Sequence, residues 1–190
     1  MKIQREDLRE MSYQEFGELL NTLTKKIEEY VLKNNLKIDL VVPILRSGGF
    51  TGLHLASKLK IINILPAQYK YIYSQEIKIE KKFDFPKLNF TLPPNRNILI
   101  VDSNTVHKKI AAKVITDVYD LYPMAKLYFA SALIDQSIKS LDFIEQIFYG
   151  ELSNEGRFIS NVEAEKMGIT NEIRIFPWEN IDEEWESLNT

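Results

Sequence analysis

The chain has 190 residues, 45% of them hydrophobic, and a net charge of −3, which suits one domain with a real core. It has no cysteine, so a disulfide framework and a thiolate metal site are excluded. Residues 1–9 are charged rather than leader-like, no run approaches the roughly eighteen apolar residues of a membrane span, and the balance of charge lacks the broad basic face of a nucleic-acid binder; a cytoplasmic protein with no membrane or nucleic-acid partner is expected.

Ser12 with Glu15 three residues on is a capping-box start. Phe16, Leu19, Leu20, Leu23, Ile27 and Val31 then recur at helical spacing, predicting an amphipathic helix that ends near Asn34 and Asn35. Residues 40–42 are an apolar run without alternation, the pattern of a parallel strand covered on both faces. After residues 43–49 the helical period returns, with Phe50, Leu53, Ala56 and Leu59 on one face, and residues 61–65 read as the next strand. This strand, helix, strand series is a βαβ unit.

The stretch 69–79 alternates in places and is followed by Lys81, Lys82, Pro86, Pro93 and Pro94, so a hairpin or flap is predicted within residues 66–96. Residues 97–101 form a second buried strand ending at Asp102. Ile110, Ala111, Val114, Val118 and Leu121 mark a helix over 108–122, and 125–133 is the strand after it. A further strand is predicted within 143–149, a short helix within 162–167 and a last strand within 172–176. The five acids after Arg174, with no bases among them, read as a solvated acidic end. The sum is a single α/β domain over 1–190, with an open, mainly parallel sheet flanked by helices, a flap and a small C-terminal extension over 150–190.

Ligands of open parallel sheets sit at the carboxyl ends of strands, where helix N-termini offer free N–H groups to anions. Two loops have that position. In Leu45-Arg46-Ser47-Gly48-Gly49, paired glycines let the backbone approach a ligand and Arg46 supplies a fixed cation. The other loop runs from Asp102 to Lys109.

These stretches resemble the type I phosphoribosyltransferases, enzymes that join a nitrogenous base to ribose 5-phosphate drawn from phosphoribosyl pyrophosphate. Val42-Pro43-Ile44-Leu45-Arg46-Ser47-Gly48-Gly49 is similar to the family's pyrophosphate loop. Ile98-Leu99-Ile100-Val101-Asp102-Ser103-Asn104 is similar to the start of its ribose-phosphate signature, and Ile175-Phe176-Pro177-Trp178-Glu179 to the closing segment of microbial xanthine and hypoxanthine enzymes. The resemblance implies a phosphorylated ribose or nucleotide as ligand, held by Arg46, Ser47, Gly48, Gly49, Ser103, Asn104, Thr105, His107, Lys108 and Lys109, with Asp102 on the ribose hydroxyls. It also implies magnesium if the chain is catalytically active, otherwise no cofactor, and a homodimer. No residue is assigned as a metal ligand.

The family signature continues as two acids, three variable residues and Thr-Gly-any-Thr, the turn that wraps the 5′-phosphate in donors. Here the second acid is Ser103, and His107-Lys108-Lys109-Ile110 stands at the turn. A lysine at the glycine position obstructs close backbone approach, while two lysines replace lost donors only as point charges. The altered loop argues against ordinary transferase activity, and a non-catalytic nucleotide or sugar-phosphate sensor or partner subunit is the alternative. The base pocket departs as well: the place of the aromatic that stacks on the base in such purine enzymes falls near Ile173, and where they carry a purine-reading lysine this chain has Ile134-Asp135-Gln136, so no base-recognition residue is carried over.

Each feature also has a plainer reading. The glycine loop can be a simple turn, and Asp102 a helix cap. His107 and His54 do not form a metal or catalytic constellation with each other. Tyr69, Tyr71 and Tyr73 fit one face of a hairpin better than a base-stacking platform. Lys81 and Lys82 fit solvated flap charges, and Trp178 a packing anchor. Ser103 lacks an assignable histidine and acid to make it a nucleophile.

Overall fold

The computed structural model describes residues 3–72 and 78–189. A 3-10 turn, Arg5–Asp7, leads into β1 (Leu8–Glu10), α1 (Tyr13–Lys33), β2 (Leu40–Leu45) and α2 (Gly48–Lys58). Then come β3 (Ala67–Ile72), β4 (Lys78–Lys81), β5 (Asn97–Thr105), α3 (Lys108–Leu121), β6 (Lys126–Asp135) and β7 (Ile144–Ser153). The chain closes with α4 (Asn161–Lys166), β8 (Ile173–Ile175) and α5 (Ile181–Asn189).

The main sheet has the order β4-β3-β2-β5-β6-β7, parallel except for β4, which returns antiparallel to β3. From β2 the chain crosses first to β3 on one side, and β5 then lies on the other. The switch of direction therefore falls between β2 and β5, where an open parallel sheet leaves a crevice at its carboxyl edge. The register pairs Pro43 with Val101, so the loop from Arg46 to Gly49 leaves β2 beside Asp102 of β5.

Strand residues alternate between two cores. Leu40, Val42, Ile98, Ile100 and Phe129 meet Ala111, Val114, Ile115 and Val118 of α3 on one face. Val41, Leu99, Val101, Tyr128 and Ala130 meet Leu23 and Ile27 of α1 and Leu55 and Ala56 of α2 on the other. Burial on both faces explains the unbroken apolar runs. Each such fully buried Leu, Ile or Val contributes about 1.5–3 kcal/mol. The capping box stands as predicted: Ser12 Oγ accepts from Glu15 N–H and Glu15 accepts from Ser12 N–H at 2.7 Å.

Several elements differ from the sequence reading. Phe50 and Leu53 are 48% and 59% exposed, and the buried stripe of α2 is Gly48, Gly49, Thr51, Gly52, Leu55 and Ala56. Small residues win this face because the helix lies directly on the sheet: a Cβ on Gly52 would stand 2.8 Å from Pro43 Cβ. Of residues 61–65, Ile64 makes only an isolated bridge to Val41, and the strand proper begins at Ala67. Pro66 intervenes, and a residue without N–H interrupts a ladder.

β5 does not end at Asp102 but runs on to Thr105, because β6 extends beside it with Asn104 opposite Leu133 and Thr105 opposite Ile134. The acidic end is a helix, with Ile181 and Trp185 packed on Leu8, Ile173 and Ile175 of the β1–β8 pair. Its acids escaped a helical reading because the anchors are only two, one turn apart. The predicted hairpin is β3–β4, registered from Tyr69↔Lys81 to Ile72↔Lys78; Tyr73 lies outside the described residues.

Candidate functional site

The two loops meet. Ser103 Oγ donates to the Ser47 carbonyl at 2.7 Å and lies 2.8 Å from Thr51 Oγ1, so one buried hydroxyl fastens β5 to the loop after β2. A Cβ on Gly48 would stand 2.7 Å from Val101 O and 3.1 Å from Asp102 Cα, and only glycine permits that approach. The Leu45–Arg46 peptide is cis.

Two adjoining cavities open at this edge. One, of about 270 Å³, is lined by Leu45, Ser47, Tyr69, Asp102, Asn104 and Ile110, among others. The other, of about 630 Å³, is lined by Lys108, Lys109, Ile138, Lys139 and Phe158 with neighbouring loop residues. Tyr71, Val106 and His107 line both, so the two cavities adjoin across these residues, and they are taken together below as the crevice over the ends of β2, β5 and β6.

Asp102 sits at the floor of the smaller cavity. Although the residue keeps some exposure, its carboxyl is enclosed, and burial pushes it up to about 7. Hydrogen bonds oppose that rise: Oδ1 accepts from Ser103 N–H at 2.8 Å, and Thr105 Oγ1 lies 3.5 Å from Oδ2. The carboxyl is thus poised between neutral and charged near neutral pH.

The remaining residues singled out in the sequence divide into two groups. Gly48, Gly49, Ser103 and Thr105 are buried; Thr105 Oγ1 lies 3.0 Å from Ser131 Oγ, so the hydroxyls of Ser103 and Thr105 are engaged in holding strands together. Asn104 donates from Nδ2 to Glu155 Oε2 at 2.8 Å, and its Oδ1 is buried with no partner among the described residues. Ser47, His107, Lys108 and Lys109 line the crevice. Arg46 is exposed and lines neither cavity. Its charge is felt at Glu179, whose carboxyl burial pushes up while the Phe176 N–H and Arg46 draw it down.

Sequence reasoning missed the far wall. Lys139 and Phe158 belong to the connections after β6 and β7, and the strand-end rule applied to β6 would have found the first. Phe158 meets His107 edge to face with centroids 6.0 Å apart. Behind them Asp135, fully buried, accepts from the N–H groups of Ser137 and Gly156, each at 2.9 Å. One carboxylate therefore ties the two connections that form this wall. Glu155, pushed up to about 7 mainly by burial, accepts from Arg174 N–H at 3.2 Å as well as from Asn104.

Ile173, where the stacking aromatic was sought, is buried in β8 opposite Leu8. Trp178 stacks on Phe50 with centroids 4.1 Å apart and packs on Phe16 and Phe176, in keeping with an anchor. Tyr69 donates to Asp117 Oδ2 at 2.5 Å, and Lys81 lies 4.0 Å from the same carboxylate and over the Phe85 ring. Both fasten the hairpin to α3. Lys82 pairs with Glu80.

A mainly parallel sheet with this order, crevice and hairpin is the fold of the type I phosphoribosyltransferases. Among solved structures, the chain is similar to a purine phosphoribosyltransferase from Pyrococcus horikoshii OT3, at 18% identity over 92% of this chain and 95% of that one, with a TM-score of 0.65. It is similar also to the xanthine-guanine-hypoxanthine phosphoribosyltransferase of Helicobacter pylori, at 18% identity over 94% and 98% with a TM-score of 0.62. A third likeness is to a hypothetical protein from Neisseria gonorrhoeae solved with bound ppGpp, at 16% identity over 96% of each chain and a TM-score of 0.64. No protein-family model matches the sequence, and the search of curated proteins finds no match. Among the described residues no helix is long and apolar enough to cross a membrane.

Proposed function

We propose that the protein binds a nucleotide or another phosphorylated ribose in the crevice between the loop after β2 and the start of α3. The observation that carries this reading is the contact of Gly48 with Asp102, which places a glycine-opened loop and a carboxyl at one end of one crevice. Asp102 would hold ribose hydroxyls, Lys108 and Lys109 at the start of α3 would hold the phosphate, and the base would lie towards Tyr71 and Phe158. A helix N-terminus and two ammonium groups both favour an anion there. Ser47 and His107 would contribute contacts from the rim.

Binding without transfer is the form of this reading that we favour. A phosphate loop needs a turn whose backbone donors converge, whereas here the backbone stays in the β5–β6 ladder through Thr105 and only Val106 and His107 remain before α3. The Neisseria protein with bound ppGpp supports a nucleotide-holding role on this fold. The second reading, transfer of phosphoribosyl to a purine-type base, rests on the likeness to the purine transferases. A cytoplasmic homodimer is part of either proposal, by fold analogy only.

Calorimetry with guanosine and adenosine 5′-monophosphates, beside turnover assays with phosphoribosyl pyrophosphate, magnesium and a panel of bases, separates these readings. Saturable binding without product is the expected result. Product formation would establish the transferase, and no binding of any phosphorylated ribose would sink both.

A further inference from the structure

We infer that this crevice holds its anionic ligand without a divalent cation, with Lys108, Lys109 and Lys139 supplying the positive charge that magnesium would bring. The inference rests on the nucleotide-binding reading above and concerns how that same site is neutralised.

Magnesium demands a near-octahedral set of oxygens, and in phosphate sites it is usually held by one or two carboxylates together with phosphate oxygens and water. Among the described residues that line the crevice, Asp102 is the single carboxyl. That carboxyl is a poor anchor for a cation: burial favours its protonated form up to about pH 7, and Oδ1 is already committed to the Ser103 N–H. Ser103, which stands where the resembling signature has a second acid, is turned away from the crevice and holds Ser47 and Thr51. Asn104 can offer at most one neutral oxygen, its Oδ1, and its amide is oriented by the bond from Nδ2 to Glu155. Glu155 itself does not line either cavity. Among the described residues, no group of three or more histidines and carboxylates is placed to hold a metal ion. The described residues of the crevice do not fit magnesium.

The cationic side is as built up as the anionic side is stripped. Lys108 and Lys109 stand on the first turn of α3 and Lys139 on the connection after β6, all three exposed and all lining the 630 Å³ cavity. Among the described residues none of the three is paired with a carboxylate. Three like charges around one cavity repel one another, and an entering phosphate relieves that repulsion as well as making direct contacts. An ammonium is a point charge with rotatable donors, so it neutralises a phosphate without the directional geometry that a metal imposes.

The experiment is calorimetric titration of the full chain with guanosine 5′-monophosphate, once in EDTA and once in excess magnesium. Affinities equal within about twofold are expected, a ratio far smaller than the effect of losing a charge-assisted contact. K108A, K109A and K139A should each weaken binding about tenfold in both buffers, with thermal unfolding unchanged. Binding seen only with magnesium, or at least about tenfold tighter with it, overturns the inference while leaving the nucleotide-binding reading intact. Binding equal in both buffers but insensitive to all three lysine substitutions overturns it also. Absence of binding in both buffers overturns the nucleotide-binding reading and the inference with it.

Discussion

Asp102 and Glu155 share a property that is unusual for carboxyls: burial disfavours the charge and pushes each up to about 7. Their ordinary values are 3.8 and 4.5, so between those values and 7 the folded chain binds more protons than the unfolded one. Stability therefore falls as pH rises across that window, and the full cost is present above it. D102N and E155Q should each raise the unfolding midpoint more at pH 8 than at pH 4, as measured by calorimetric melts; equal shifts at both pH values would mean that the carboxyls are charged in the fold. E155Q is tolerable sterically because Asn104 can turn its amide and offer its unpartnered Oδ1 to the new donor. At the same scale, D102A should abolish measurable binding of a nucleoside monophosphate, since it removes the carboxyl at the cavity floor. Asp102 was legible from the sequence because an acid closing an apolar run is a local pattern. Glu155 was not, because nothing local distinguishes a buried glutamate from the exposed ones nearby.

Among elements, the start of α2 and the β3–β4 hairpin carry the testable consequences. G48A introduces a Cβ only 2.7 Å from Val101 O, so α2 must lift from β5; a loss of about 1–3 kcal/mol in denaturant unfolding is expected from such overpacking. Nucleotide affinity should fall with it, since the same shift moves Ser47. Y69F deletes the bond to Asp117 and should cost about 0.5–1.5 kcal/mol, while increasing amide exchange in β3 and β4; unchanged exchange would show that the hairpin is held by packing alone. Helices α1 and α3 were readable in sequence because their apolar residues recur along one stripe. The buried face of α2 was misread for an intelligible reason: glycine and threonine do not register as hydrophobic, yet small residues are what a helix lying close to a sheet requires. β1 and α5 escaped because each is stabilised by a distant partner, β8 for one and Leu8 with Ile173 and Ile175 for the other.

For the molecule as a whole, ligand and stability are linked, because a nucleotide that binds only the folded chain stabilises it by mass action. At a hundredfold excess over Kd the gain is about 2.7 kcal/mol, so guanosine 5′-monophosphate should raise the unfolding midpoint of the native chain but not that of D102A. Apolar runs, helical periods and the strand-end positions of Arg46 to Gly49 and Asp102 were sufficient to determine a parallel α/β sheet and one rim of its crevice, because strand burial and helix amphipathicity are written in neighbouring residues. Tertiary structure alone decided that β5 continues past Asp102, that Ser103 faces inward and that Arg46 lines neither cavity of the crevice. It alone brought Lys139 and Phe158 to the opposite wall. Those outcomes depend on contacts between strands and loops far apart in the chain, and no local pattern of side chains encodes which of them will face one another.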